Sequence, residues 1–303
     1  MKQSRREEGD DDVSVGKEEE EAGYCSSSSI SRLPEACLAH AISFTTPTDA
    51  CRCSAVSADF QAAASSNAVW ERFLPPDYHS ILARADDPVD FTTSNKELFL
   101  SLAQDHVLLD QRSKSFWLER TSGAKCYLLS SRSLEIAWGD DARYWRWIYL
   151  PDSRFERVAA LVFVCWFHLR GRINCRELSP NTRYIVYLIF KLADKSYGLD
   201  CRTQEAYITM DDQVVSAKRT VSLHPRTQET PLDMGRSEEV GRAEETVSYP
   251  RERGDGWMEV QLGHFYNHQG DGMVVINLQE IVQLNSKKGL ILEGMEIRHS
   301  IGP

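Results

Sequence analysis

Val158 to Leu169 reads VAALVFVCWFHL, the longest apolar run in the chain. It is well short of the roughly 20 residues that a helix needs to cross a bilayer. Its β-branched and aromatic content suits a buried sheet strand. Similar runs lie on both sides. Lys125–Leu129, Ser133–Trp138 and Trp145–Leu150 precede it. Arg183–Leu192, Glu205–Met210, Trp257–Leu262, Met273–Val282 and Leu290–Arg298 follow. Turn residues separate them, among them Gly139-Asp140, Ser179-Pro180-Asn181 and Ser286-Lys287-Lys288-Gly289. Many short strands without intervening amphipathic helices predict an antiparallel sandwich or barrel, here over 114–303. The charged, turn-rich stretch about 222–254 is expected to be a long mobile loop within it.

Ahead of the strands the period changes. Leu38, Ala41 and Ile42 recur at helical spacing after Pro34. Thr46-Pro47-Thr48-Asp49 restarts a helix with a threonine cap, a proline inside it and an acid in the first turn. Ser57 and Asn67 are further expected caps, and Pro75-Pro76 ends the block. Several short helices over 30–78 make a small core, so size alone suggests that something else completes it. Over 79–113, Ser94 and Glu97 form a capping-box pattern ahead of Leu98 and Leu102, predicting a helical linker. Residues 1–29 combine acidic runs with Ser26-Ser27-Ser28-Ser29 and are expected to be a disordered tail.

Composition narrows the function. The 303 residues carry a net charge of -10, which gives no electrostatic basis for nucleic-acid binding. The eight cysteines do not fall into a disulfide or zinc spacing, and residues 1–23 lack the apolar core of a signal peptide. A soluble cytoplasmic or nuclear protein is expected. His264 and His268 stand four apart, but with only Asp271 near them no metal site is expected. The absence of a nucleophile–base order, a phosphate loop or a spaced carboxylate pair predicts no catalysis and no cofactor.

The helical block resembles an F-box. Leu33-Pro34-Glu35, Ile42-Ser43-Phe44, Asp49-Ala50-Cys51-Arg52, Ser54-Ala55-Val56-Ser57 with Phe60, and Val69-Trp70-Glu71-Arg72-Phe73-Leu74-Pro75 follow the plant pattern in order. The resemblance implies binding to the Skp adaptor of an SCF (Skp–cullin–F-box) ubiquitin ligase, with its cullin and RING subunits. By position Leu33, Pro34, Leu38, Ile42, Val56 and Trp70 would make the contacts, some of them serving equally as internal core. His40-Ala41 and Gln61 depart from the pattern and would lower affinity for the adaptor.

The second half resembles the phloem lectin, or Nictaba-like, family. Lys125-Cys126-Tyr127, Ile136-Ala137-Trp138-Gly139-Asp140, Tyr144-Trp145-Arg146-Trp147, Ser153-Arg154-Phe155, Leu178-Ser179-Pro180-Asn181-Thr182, Phe190-Lys191-Leu192-Ala193-Asp194, Asp255-Gly256-Trp257-Met258-Glu259 and Gly294-Met295-Glu296-Ile297-Arg298 occur in family order. The implied fold is α+β in two domains, a small helical F-box followed by an antiparallel jelly-roll-like β-sandwich. Lectin members bind N-acetylglucosamine oligomers or related N-glycans. Trp138 and Trp145 match their two binding tryptophans, as ring platforms or as packing residues. The family's two glutamates correspond to His264 and Asp271. A histidine offers far fewer acceptor sites than a carboxylate, so an altered or lost sugar preference is expected. These features imply a non-catalytic substrate receptor that holds a glycoprotein or protein target. The alternatives are an intracellular carbohydrate-binding lectin with a vestigial F-box, and an interaction protein that binds no glycan.

Overall fold

The structure is a computed structural model that describes residues 30, 33–89, 93–200, 204–226, 247–268 and 270–300. The expected tail 1–29, and 227–246 of the expected loop, lie outside these residues. The chain divides into Met1–Pro34 and Glu35–Pro303. In the first unit, Leu33 N–H donates to Ile30 O at 3.1 Å. Every helix and strand named below belongs to the second.

The fold is α+β, a helical N-terminal region followed by an antiparallel β-sandwich. The helices are α1 (Glu35–Ile42), α2 (Pro47–Cys53), α3 (Ala58–Ser65), α4 (Asn67–Phe73), α5 (Tyr78–Leu82) and α6 (Asn95–Gln104). Their starts follow local chemistry. Thr46 Oγ1 accepts Asp49 N–H at 3.1 Å, and Ser57 Oγ accepts Phe60 N–H at 3.3 Å, each satisfying a donor that the helix cannot. Ser94 and Glu97 form a complete capping box. Asn67 is not the cap expected of it. The cap is Ser66, and Asn67 Oδ1 instead accepts Asn95 N–H at 3.0 Å, tying the start of α4 to the start of α6.

The strands are β1 (Val107–Leu109), β2 (Lys114–Leu118), β3 (Lys125–Ser130), β4 (Glu135–Ile136), β5 (Trp145–Ile148), β6 (Val158–Leu161), β7 (Phe167–Asn174), β8 (Thr182–Tyr197), β9 (Gln204–Met210), β10 (Gln213–Val214), β11 (Arg219–Val221), β12 (Arg251–Glu252), β13 (Met258–Asn267), β14 (Met273–Glu280) and β15 (Lys288–His299). One sheet runs β1-β2-β3-β15-β8-β13-β12, with β6 also on β15 and β5 on β6. The other runs β10-β9-β14-β7-β4, with β11 also on β9. The apolar run 158–169 is therefore two strands, not one. Between them the backbone leaves both sheets: Val162 N–H bonds Tyr144 O at 2.8 Å, and Val164 exchanges hydrogen bonds with Lys287. Apolar residues continue through this corner because Val164 packs into the core beneath it.

Alternation sets the layers. Leu169 and Ile173 on β7 and Ile276 and Leu278 on β14 meet Val186 and Leu188 on β8, all within 1% of complete burial. A smaller cluster of Leu128, Phe155, Val158, Ile189 and Trp257 sits on the opposite face of the larger sheet. The main core does not stop at the sandwich. It runs from Leu38 of α1 through Trp70 of α4 and Phe99 of α6 to Phe116 of β2 and on to Ile297 of β15. The helical block thus completes its core against α6 and the sandwich, an answer to its small size that lies within the chain. Two polar ties cross the same seam. Lys125, 4% exposed, donates to Asp77 at 2.9 Å, and Arg84 bonds Glu177 at 3.1 Å. Gly123, at φ +72°, makes a close approach there; a Cβ at this position would lie 2.6 Å from Phe73 O.

Candidate functional site

The six residues expected to face an adaptor separate into two groups. Leu38, Ile42 and Trp70 are 3%, 3% and 0% exposed. Trp70 packs its ring 5.5 Å from Phe73 and 5.3 Å from Phe99, and its Nε1–H donates to Ala64 O at 2.7 Å. As placed, these three hold the helices together. Leu33, Pro34 and Val56 are exposed. Phe44, not singled out by the sequence reading as a contact, is 61% exposed in the turn after α1. Arg72 places its guanidinium 4.2 Å from the Phe44 ring centre, and His40 meets the ring edge-on at 4.9 Å. The turn beneath it is closed by Ser43 Oγ donating to His40 O and Thr45 Oγ1 donating to Ile42 O, both at 2.7 Å. An aromatic ring outside the helical period was the available signal, since the period accounts for Leu38 and Ile42 but not for Phe44.

The sugar-site residues do not converge. Trp145 is 2% exposed, and its Nε1–H donates to Ala137 O at 3.1 Å, which pins the loop between β4 and β5. Its role is packing. Trp138, in that loop, is 57% exposed at φ +63°, a backbone region that non-glycine residues rarely adopt. Tyr144 lies 5.7 Å from its ring. The loop is further held by Asp141, whose carboxyl accepts from the Arg143 guanidinium and backbone N–H; both bonds hold it below the ordinary carboxylate range. His264 is exposed on β13, which pairs with β8 in the larger sheet. Asp271 is exposed and pairs with Arg176 at 3.2 Å.

Distances along β7 settle the relation between Trp138 and Asp271. Ala137 N–H bonds His168 O at one end of the strand, and Cys175 N–H bonds Gly272 O just beyond the other. The intervening strand spans about 25 Å at the usual rise of about 3.3 Å per residue. One pyranose cannot touch both.

A different surface gathers polar groups. On the outer face of the six-stranded sheet, Glu135 stands opposite Arg170, Arg170 opposite Asn277, and Asn277 opposite Tyr207. Arg172, Val275 and Thr209 form the adjacent row. Two cavities of about 470 and 530 Å³ share Arg170 as a wall. The first also holds Arg132 and Trp147, and the second Asp211 and Asp212. Asn277 is only 3% exposed, and its Oδ1 accepts from Arg170 Nε at 3.2 Å. These positions were legible as the polar members His168, Arg170 and Arg172 alternating with Leu169, Gly171 and Ile173, but the apolar run 158–169 drew the strand boundary away from them. Among the described residues no cluster of three or more His, Cys, Asp or Glu side chains could hold a metal ion.

Comparison with known proteins agrees with this architecture. Residues 124–299 match the family model described as Phloem protein 2, and residues 30–75 match one described as F-box-like. The F-box protein PP2-B10 of Arabidopsis thaliana is 43% identical over 275 residues, covering 90% of this chain and 94% of its own. The F-box protein PP2-B1 of the same plant is 39% identical, covering 92% of each chain. Among solved structures, the CBM22-1 xylan-binding domain of Paenibacillus barcinonensis Xyn10C aligns at 11% identity and a TM-score of 0.29, covering 57% of this chain and 90% of its own. That superposition is too loose to bear on fold or ligand.

Proposed function

The chain belongs to the phloem protein 2 family and carries an F-box-like segment ahead of that lectin-like domain, and on this premise we propose that it is a substrate receptor of an SCF ubiquitin ligase. The helical block grips the Skp adaptor, the sandwich holds a glycoprotein or protein target, and cullin and RING subunits supply the transfer machinery. The receptor itself makes and breaks no bonds. It works in the cytoplasm or nucleus.

The observation that carries this reading is the exposure of Phe44 and Val56, 61% and 66%, on helices whose Leu38, Ile42, Val69 and Trp70 side chains are used internally. Exposed aromatic and aliphatic groups held by a rigid base are the anchors on which protein interfaces depend. Arg72 and His40 hold the Phe44 ring before any partner arrives, which lowers the ordering cost of binding.

Co-purification of the full chain with a plant Skp adaptor tests it. Phe44→Asp together with Val56→Asp is expected to abolish the complex while the thermal unfolding midpoint stays unchanged, because both side chains already face water. Retention of the adaptor by the folded double variant would remove the basis for the assignment.

A further inference from the structure

We propose that the groove on the outer face of the six-stranded sheet binds an extended peptide segment of the target, one carrying an acidic and a basic side chain three to four residues apart. This rests on the reading of the sandwich as the target-holding part, and it names the chemistry held there.

The groove has opposite charge at its two sides. On the β4–β7 side stand Arg132, Arg170 and Arg172. Arg170 bonds Glu135 at 3.3 Å and Arg172 bonds it at 2.8 Å, so two guanidiniums share one carboxylate. Arg132 lies over the Trp147 ring at 4.7 Å. Asp140 is the other acid lining this side, which leaves the cations in excess. On the β9–β10 side, Asp211 and Asp212 form the turn, at φ +47° and +65°. Positive φ at both central residues is the signature of a tight hairpin turn, and it fixes the directions of both carboxylates. Asp211 is anchored further by accepting Met273 N–H at 3.0 Å, whereas Asp212 projects into solvent.

Between the two sides the floor is formed by Asn277, Val275, Met273 and Tyr207. Asn277 Nδ2 has no partner among the described residues, although the side chain is 3% exposed and its Oδ1 is engaged. It is a fixed donor facing the groove, suited to a backbone carbonyl. From β9 to Arg170 and Arg172 on β7 are two strand spacings and to β4, which Arg132 precedes, three, about 10 to 14 Å at about 4.8 Å each. An extended peptide covers about 10 to 13 Å in three to four residues at about 3.3 Å per residue, which sets the spacing of its two charges.

Charge also argues against the other occupants. A nucleic acid or polyphosphate would meet Asp211 and Asp212. A neutral sugar would cover several ions without pairing them, and burying an uncompensated charge is costly. A peptide with both charges pairs each side in turn, its carboxylate seating on the guanidiniums in the planar, two-bonded geometry that arginine favours.

The test uses fluorescein-labelled, N-acetylated and C-amidated polyalanine decapeptides with one Glu and one Lys placed one to seven positions apart, titrated by anisotropy against the full chain. Binding is expected to peak at separations of three to four and to weaken at high salt. Arg172→Glu is expected to weaken binding at least tenfold and to recover it for peptides with both charges reversed when Asp212→Lys is added. Both side chains are surface groups, so unchanged thermal unfolding is the control. Binding that ignores spacing, or a charge-reversed pair without recovery, overturns the proposal. So does binding of cellotetraose or chitotetraose that Tyr207→Ala abolishes, which would make the groove a sugar site. Co-purification with the Skp adaptor from the same preparation separates the two readings. Intact adaptor binding with no peptide or sugar binding rejects the groove alone, whereas peptide binding without adaptor binding rejects the ligase reading alone.

Discussion

Replacing Lys287 by Met should destabilise the protein strongly, and adding Glu280→Gln should reverse most of the loss. Both side chains are completely inaccessible to water, at 0% and 0%. Lys287 Nζ donates to Glu280 Oε2 and, at 2.7 Å, to Asn285 O. The other carboxylate oxygen, Glu280 Oε1, accepts the backbone N–H groups of Val282, Gln283 and Leu284 at 3.1, 2.8 and 3.2 Å. The pair therefore braces the β14–β15 loop, which holds Val282 at 87% exposure and Leu284 at φ +54°. Removing the ammonium leaves a buried carboxylate without its cation, a change that costs about 3–5 kcal/mol. At a urea slope of about 3 kcal/mol/M the unfolding midpoint falls by about 1 to 1.7 M. In the double variant no charge remains, while the amide oxygen of Gln can still accept the loop N–H groups, so at least about 2 kcal/mol should return. Burial raises the Glu280 carboxyl, but the Lys287 ammonium and the Gln283 and Leu284 N–H groups outweigh it, and the group stays below its ordinary 4.5. Its charged form is thus favoured by folding. That contribution is present above about pH 4.5 and is lost as the pH falls below it, and the double variant should lack this component. Urea titrations followed by tryptophan fluorescence, at pH 7 and pH 4, measure all three quantities. A midpoint shift under about 0.3 M for Lys287→Met, or a double variant no more stable than the single one, would refute the reasoning.

Trp70→Ala should cost about 3–5 kcal/mol and lose adaptor binding only in proportion to unfolding, since its ring is fully buried in the core. Trp145→Ala should lower the thermal midpoint by several degrees, whereas Trp138→Ala should leave it unmoved; equal shifts would contradict the assigned roles. Burial pushes the Cys126 thiol up to about 12, so iodoacetamide at pH 8 should alkylate the exposed Cys37 and Cys51 and spare Cys126, as read by peptide mass spectrometry. Gly123→Ala should destabilise by about 2 kcal/mol or more through its positive φ and its approach to Phe73 O, and a smaller loss would mean that the seam is looser than described.

Much of the architecture could be read from residue order. Thr46, Ser57 and Ser94 announce their helices because a hydroxyl at a helix start has one local task, and the spacing to the next apolar residue reveals it. The strands with β-branched runs were placed to within a few residues, though β8 extends to Tyr197 and β13 to Asn267. What stayed hidden depends on contacts distant in sequence. Nothing near Asn67 tells that Asn95 will claim its carboxamide. Nothing local distinguishes Trp138 from Trp145, since which one is buried depends on where Ala137 meets β7. Helical spacing marks Leu38 and Ile42 as one apolar face, but not whether that face serves the core or a partner. β1 and β2 escaped notice because Val107–Leu118 is interrupted by a charged turn, Asp110 to Ser113, whose fit depends on Arg84 and Asp86 from earlier in the chain.

The seam from Trp70 through Phe99 to Phe116 has a directional consequence for a receptor of the proposed kind. Where α4 packs on α6 and α6 on β2, one continuous core joins the helices to the sandwich, so an adaptor and a target held by such a receptor would stand at a set bearing and reach. Only acceptor lysines within a limited arc of the target would meet the charged ubiquitin carrier. Exchanging the helical block for that of a distant relative would change this bearing as well as the grip, unless the side chains beneath it travelled too.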